Sequence, residues 1–182
     1  MHAAPCALMR RMDLTATPFK RCWKPLCMHL RPCTKNHGHS SSCKTHALFQ
    51  HLSDLAKPIF VEEVRHRNAH GASHSFDHFI RPDFNIFHGA DTLIIICAKP
   101  MGQFVSADCW LAAENMMLAA SAIGLGSCVI GSAIATLNIH KVKTELGIPD
   151  EYSAIAPIVV GVPSGETHST SRKEPLILSW KQ

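Results

Sequence analysis

No two cysteines in this 182-residue chain are separated by only two residues, although eight are present. The paired spacing of a zinc knuckle is therefore missing. Apolar runs are short as well: each is interrupted too soon to span a bilayer. Charged residues are sparse at 18% beside 46% hydrophobic ones, which excludes the composition of a disordered chain and fits a globular one. The opening MHAAPCALMRRMDLTATPF lacks a basic start feeding a long apolar core, lacks a clear cleavage site, and is only weakly amphipathic. It reads as neither a signal nor a transit peptide. The expectation is a cytoplasmic protein whose cysteines are thiols or ligands rather than disulfides. No internal repeat is visible. The length suits one domain of ordinary size.

What is there divides unevenly. Up to Lys44 the chain has eight Lys or Arg against one acid, Asp13, while the formal charge of the whole is only +4. Five of the eight cysteines precede residue 50, and eleven of the thirteen histidines precede residue 90. The chain is accordingly read as an atypical basic, Cys/His-rich segment over 1–46, a solvated and disordered arm, followed by a folded domain over 47–182. Within CTKNHGHSSSCKTH stand Cys33, His37, His39, Cys43 and His46, all residue types that bind zinc. Their spacing does not match a paired knuckle, so the reading assigns no metal. Phe19 and Trp23 are too sparse for a base-stacking surface, and no nucleic-acid partner is expected.

Further along, the residues carry start and stop signals. THALFQHLSDLAKPIF puts Leu48, Phe49, Leu52, Leu55 and Ala56 at helical spacing, with Pro58 as the expected stop. TLIIICA, Thr92 to Ala98, is a β-branched apolar run of strand length, expected to be buried on both faces. SADCWLAAENMMLAASAIG then reads as a helix capped by Ser106 or Asp108 and ended by a left-handed Gly124. Its apolar residues cover most of the circumference, so burial on nearly every side is expected. A second helix is expected over 139–146, capped by Asn138 and closed by Gly147. AIAPIVVGVP, Ala154 to Pro163, reads as a strand in which Pro157 marks an edge or a bulge.

In order and spacing, FNIFHGADTLIIICA, ADCWLAAENMMLAASAIGLGSCVIG, LGIPDEYSAIAPIVVGVPSG and SRKEPLILSW resemble the FMN-dependent nitroreductases over roughly residues 79–182. The resemblance implies an α+β fold with a mixed, mostly antiparallel sheet flanked by helices. It also implies an intertwined homodimer with FMN at each subunit interface. The segment matching CVIGS passes along the edge of the flavin in that family, so Ile130, Gly131 and Ser132 are the implied main-chain contacts. Arg172 and Lys173 match a basic pair that reaches the FMN phosphate. RPCTKN keeps the proline-to-asparagine spacing of a further flavin motif through Pro32 and Asn36, which makes Asn36 the remaining implied contact.

The first segment departs from the family. Arg10 and Arg11 begin like its arginine motif, yet MDL follows. After Asn36 the expected QPW is replaced by HGHSSSCKTH. An altered reading frame or misassigned exon up to about residue 46 would account for this, and translating the coding DNA in the other frames tests it. The implied activity is hydride transfer from NAD(P)H through FMN to a nitroaromatic, quinone or similar small acceptor, with no protein residue needed as catalytic acid. The alternative is a catalytically impaired binding protein of the same fold, or a zinc-linked interaction module.

Overall fold

A computed structural model describes residues 9–10, 42–67, 79–90, 92–165 and 173–179. In chain order these form strand β1 (Met9–Arg10), helix α1 (Ser42–Arg67), strand β2 (Thr92–Ala98), helix α2 (Val105–Ala122), strand β3 (Gly126–Val129), a 3-10 turn (Gly131–Ala133), the helical turn α3 (Ile134–Leu137), helix α4 (His140–Leu146) and strand β4 (Ser153–Pro163). Helix α1 begins ahead of residue 47, so it crosses the boundary read from composition.

β4 organises the sheet. β2 runs antiparallel along one side of it, from Thr92 opposite Val160 to Ala98 opposite Ser153. β3 runs antiparallel along the other, from Gly126 opposite Gly161 to Val129 opposite Ile158. β1 meets the end of β4, where Met9 stands opposite Pro163. These residues thus form a small antiparallel sheet flanked by helices, and the parallel pair that a mixed sheet needs is not among the described residues.

Alternation along the strands divides the core in two. Ile94, Ile96, Ile158 and Val160 pack on one face with Cys109, Ala113, Met116 and Ala120 of α2. Ile95, Cys97 and Val159 pack on the other with Phe49 and Leu52 of α1 and with Leu137 and Val142. A bulge lies where the pairing slips between Ile96 opposite Ala156 and Cys97 opposite Ala154. The extra residue, Ile155, switches the phase of β4, so that Ala154 faces the α1 side although Ala156 faces α2. As expected, β2 is buried on both faces. Each fully buried large side chain here, such as Phe87 or Leu137, contributes about 2–3 kcal/mol by leaving water.

Pro157 does not lie on an edge. It is buried in the central strand opposite Ile95. The nitrogen and carbonyl of a strand residue point to the same side, and its carbonyl accepts from Ile130 N at 2.9 Å. The missing N–H therefore falls on the side where β3 has ended, and the β2 ladder loses nothing. The bulge of β4 lies at Ile155, two residues before the proline, so neither the edge nor the bulge expected at Pro157 is found there.

Three helix boundaries differ from expectation. α1 runs through Pro58 to Arg67, because Pro58 and Asp54 both stand on the exposed side. The Asp54 carbonyl that the proline leaves unbonded is on the water side, and Val61 continues the buried stripe beyond it. α2 begins at Val105 after Phe104, without a side-chain cap, which places Ser106 and Asp108 inside its first turn. α4 begins after an extended Ile139, and Asn138 does not cap it. The left-handed glycines fall where expected: Gly124 at φ 79° ends α2 and Gly147 at φ 69° ends α4. α2 buries one face only, through Cys109, Ala113, Met116 and Ala120; Leu111 and Leu118 are 64% and 59% exposed in the single chain.

Candidate functional site

β3 leaves the sheet abruptly, and the place where it leaves is where three of the expected contacts gather. After Val129 pairs with Ile158, Ile130 donates one last hydrogen bond to the Pro157 carbonyl and turns away at φ −103°, ψ 68°. The chain then tightens into the Gly131–Ala133 turn, which Ala133 N closes on the Ile130 carbonyl at 3.0 Å. Ile130 is buried, with its side chain in the α1-side core, and its N–H and carbonyl are already bonded to the Pro157 carbonyl and to Ala133 N. Ala133 and Leu137 anchor the turn in the same core.

Gly131 is exposed, and its φ is not in the left-handed region. A Cβ built there would meet nothing within 4 Å. Neither backbone strain nor packing therefore requires glycine at this position. What its absent side chain provides is open space beside the main chain. Among the described residues no acceptor is paired with the amides of Gly131 and Ser132. Two free donors beside unfilled space fit the edge of a planar, nitrogen-containing ring, which needs a donor without bulk.

Gly124 behaves differently, because its left-handed φ is what ends α2. Leu125 N returns to the Ala120 carbonyl at 2.9 Å around it. Gly126 opens β3 opposite Gly161.

Asn36 and Arg172 lie outside the described residues. Lys173 stands on the exposed segment 173–179 and makes no hydrogen bond or ion pair among the described residues. Of the zinc candidates, Cys33, His37 and His39 lie outside the described residues, and His46 is exposed on α1. Among the described residues no three His, Cys, Asp or Glu side chains gather around one point.

Other reactive groups are built into the core. Cys97 and Cys109 are buried thiols, and burial, with Asp108 beside it, pushes the Cys109 thiol pKa up, away from nucleophilic use. Burial also pushes the His88 imidazole below its usual range. The residue that local reasoning missed is Asn138. Its amide spans from α3 to β4, donating to the carbonyls of Ile134 at 2.9 Å and Ala154 at 2.8 Å and accepting from Ala154 N at 2.9 Å. An asparagine before a helix signals a cap, and nothing nearby in the sequence points to a strand sixteen residues on.

Known proteins bear on this geometry. The model of the nitroreductase family matches residues 36–162, more than half of the chain. Over 82 residues the chain is 29% identical to a protein of Archaeoglobus fulgidus provisionally named NADH dehydrogenase/NAD(P)H nitroreductase. That match covers 42% of this chain and 47% of the relative, so the chain spans about half the length of that protein. Among solved structures, a nitroreductase with bound FMN from Bacteroides fragilis superposes with a TM-score of 0.67 at 18% identity, covering 97% of this chain and 93% of the other. A nitroreductase with bound FMN from Desulfitobacterium hafniense gives 0.64 at 14% identity, covering 92% and 88%. At these identities the likeness is one of fold.

Proposed function

The chain belongs to the nitroreductase family, and from that premise we propose that it is an FMN-dependent oxidoreductase carrying hydride from NAD(P)H to a nitroaromatic, quinone or similar acceptor. The observation that carries the reading is the Gly131 turn, with unpaired amides beside a space that the protein's own atoms leave open. A bound flavin supplies the redox chemistry. The chain supplies the rest: the main chain of Ile130, Gly131 and Ser132 would lie along the ring edge with the Gly131 and Ser132 amides as its donors, and the missing side chain at Gly131 would leave the ring's face accessible to donor and acceptor in turn. Arg172 and Lys173 provide cations for the cofactor phosphate, and Asn36 a further polar contact. No acid or base from the protein is assigned.

The reading includes a homodimer. Leu111 and Leu118 on the outer face of α2, with Phe104 just ahead of its first turn, leave an apolar stripe, and Leu176 and Leu178 are 85% and 88% exposed on the C-terminal segment. Two such surfaces on one chain suit burial against a second copy. A cytoplasmic location is part of the same proposal, supported by free thiols at Cys97, Cys109 and Cys128. Among the described residues no helix is long and apolar enough to cross a membrane.

Reconstitution tests the cofactor assignment. The purified full chain is expected to take up FMN, show flavin absorbance and oxidise NAD(P)H in the presence of a quinone. Gly131→Val is expected to weaken FMN binding by roughly tenfold or more while leaving the melting temperature of the apoprotein unchanged. A colourless protein that ignores added FMN and copurifies with zinc would move the assignment to the binding-module alternative.

A further inference from the structure

The free amides of Gly131 and Ser132 lie on an arch whose two feet stand on one strand. At the front foot Ile130 N bonds the Pro157 carbonyl at 2.9 Å. At the rear foot the Asn138 side chain takes both main-chain groups of Ala154 and, on the same amide nitrogen, the carbonyl of Ile134. Its orientation is settled by those partners: the nitrogen faces two carbonyls and the oxygen faces an N–H, and reversing them would oppose oxygen to oxygen. The bulge at Ile155 is what turns Ala154 to this side of the sheet. Between the feet, Ala133 and Leu137 hold the arch down by buried, non-directional contacts. The directional bonds at both ends fix its angle on the strand.

We infer that Asn138 is a positioning residue for the cofactor-facing amides, fixing where Gly131 and Ser132 stand through α3 without itself touching the flavin. The inference rests on the flavin reading of the turn. It also assigns a purpose to the two hydrogen bonds with Ala154, which neither cap a helix nor join neighbouring strands, beside the one to Ile134 that closes the end of α3.

The test compares Asn138→Ala with Val142→Ala, which opens a cavity in the same core without removing a hydrogen bond of the arch. Melting temperature and amide hydrogen exchange are measured on the apoprotein, and FMN affinity by quenching of flavin fluorescence. Relative to Val142→Ala at a comparable loss of melting temperature, Asn138→Ala is expected to speed exchange at the hydrogen-bonded amides of Ile130 and Ala133 and to weaken FMN about tenfold. Val142→Ala should leave both close to wild type. If the two variants change exchange and affinity alike, Asn138 is only a structural residue and the inference is overturned. Should the alanine variant not fold, Asn138→Asp keeps the acceptor for Ala154 N, loses both donors, and is judged by the same comparison. A wild-type chain that binds no FMN sinks the flavin reading itself, whereas a wild type that binds it beside indistinguishable variants sinks the role of Asn138 alone.

Discussion

His88 holds a left-handed φ of 54°, a region that residues other than glycine seldom enter and that asparagine, aspartate and histidine enter more readily than the rest. The turn around it is closed by its own amide on the Asn85 carbonyl at 3.0 Å, while the Asn85 side chain bonds Gln50 of α1 and Phe87 N. The half-buried imidazole lies edge-on to Phe84, with ring centres 6.0 Å apart. Burial lowers its pKa below the ordinary 6.5 because the charged form loses hydration. The unfolded chain then takes the proton first as pH falls. The stabilising contribution of neutral His88 is complete above pH 6.5 and shrinks below it. His88→Asn keeps a residue that accepts the left-handed backbone and removes the titration. Melting temperatures at pH 7.5 and 5.5 are expected to fall further apart in the wild type than in this variant; equal falls would show that His88 does not set the acid sensitivity.

Helix α1 is the element whose local signals and tertiary setting conflict most openly. A proline inside a helix costs about 3 kcal/mol relative to alanine when nothing compensates. Here Pro58 stands on the exposed side, and the stripe of Phe49, Leu52, Ala56 and Val61 stays buried across it. The packing of that stripe outweighs the loss of one hydrogen bond. Pro58→Ala restores the bond to the Asp54 carbonyl and is expected to stabilise the chain by about 1–3 kcal/mol in urea denaturation. A variant no more stable than the wild type would mean that the helix bends at this point to relieve the proline completely.

At the scale of the whole molecule, the unbalanced burial of α2 decides what the chain does next. Its inner face is closed by small residues, Cys109, Ala113 and Ala120, which let it lie close on the sheet. Its outer face keeps Leu111 and Leu118 in water when the chain is alone, and Phe104 is exposed just ahead of its first turn. Under the dimer reading, the wild type should sediment at twice its 20.0 kDa mass. Leu111→Glu combined with Leu118→Glu would place two charges in a desolvated contact and should yield monomers. A wild type that sediments as a monomer would remove the dimer from the proposal.

How much could be read from residues alone follows from the range of the forces involved. β2 over Thr92–Ala98 was legible because a threonine followed by six apolar residues, three of them isoleucine, has the length and β-branched content of a strand covered on both sides. Gly124 and Gly147 were legible because ending a helix in the left-handed region is a local steric matter. The Gly131 turn was found through family resemblance, and only the structure revealed that neither its backbone angle nor its packing demands glycine. The passage of α1 through Pro58, the start of α2 at Val105 and the placement of Asn138 across to Ala154 depended on partners distant in the chain. Amino-acid order by itself determined where the backbone can bend and which segments must leave water. Tertiary structure decided which distant carbonyl or amide completes each polar group, because that choice exists only after the sheet and its bulge have brought the partners within hydrogen-bond reach.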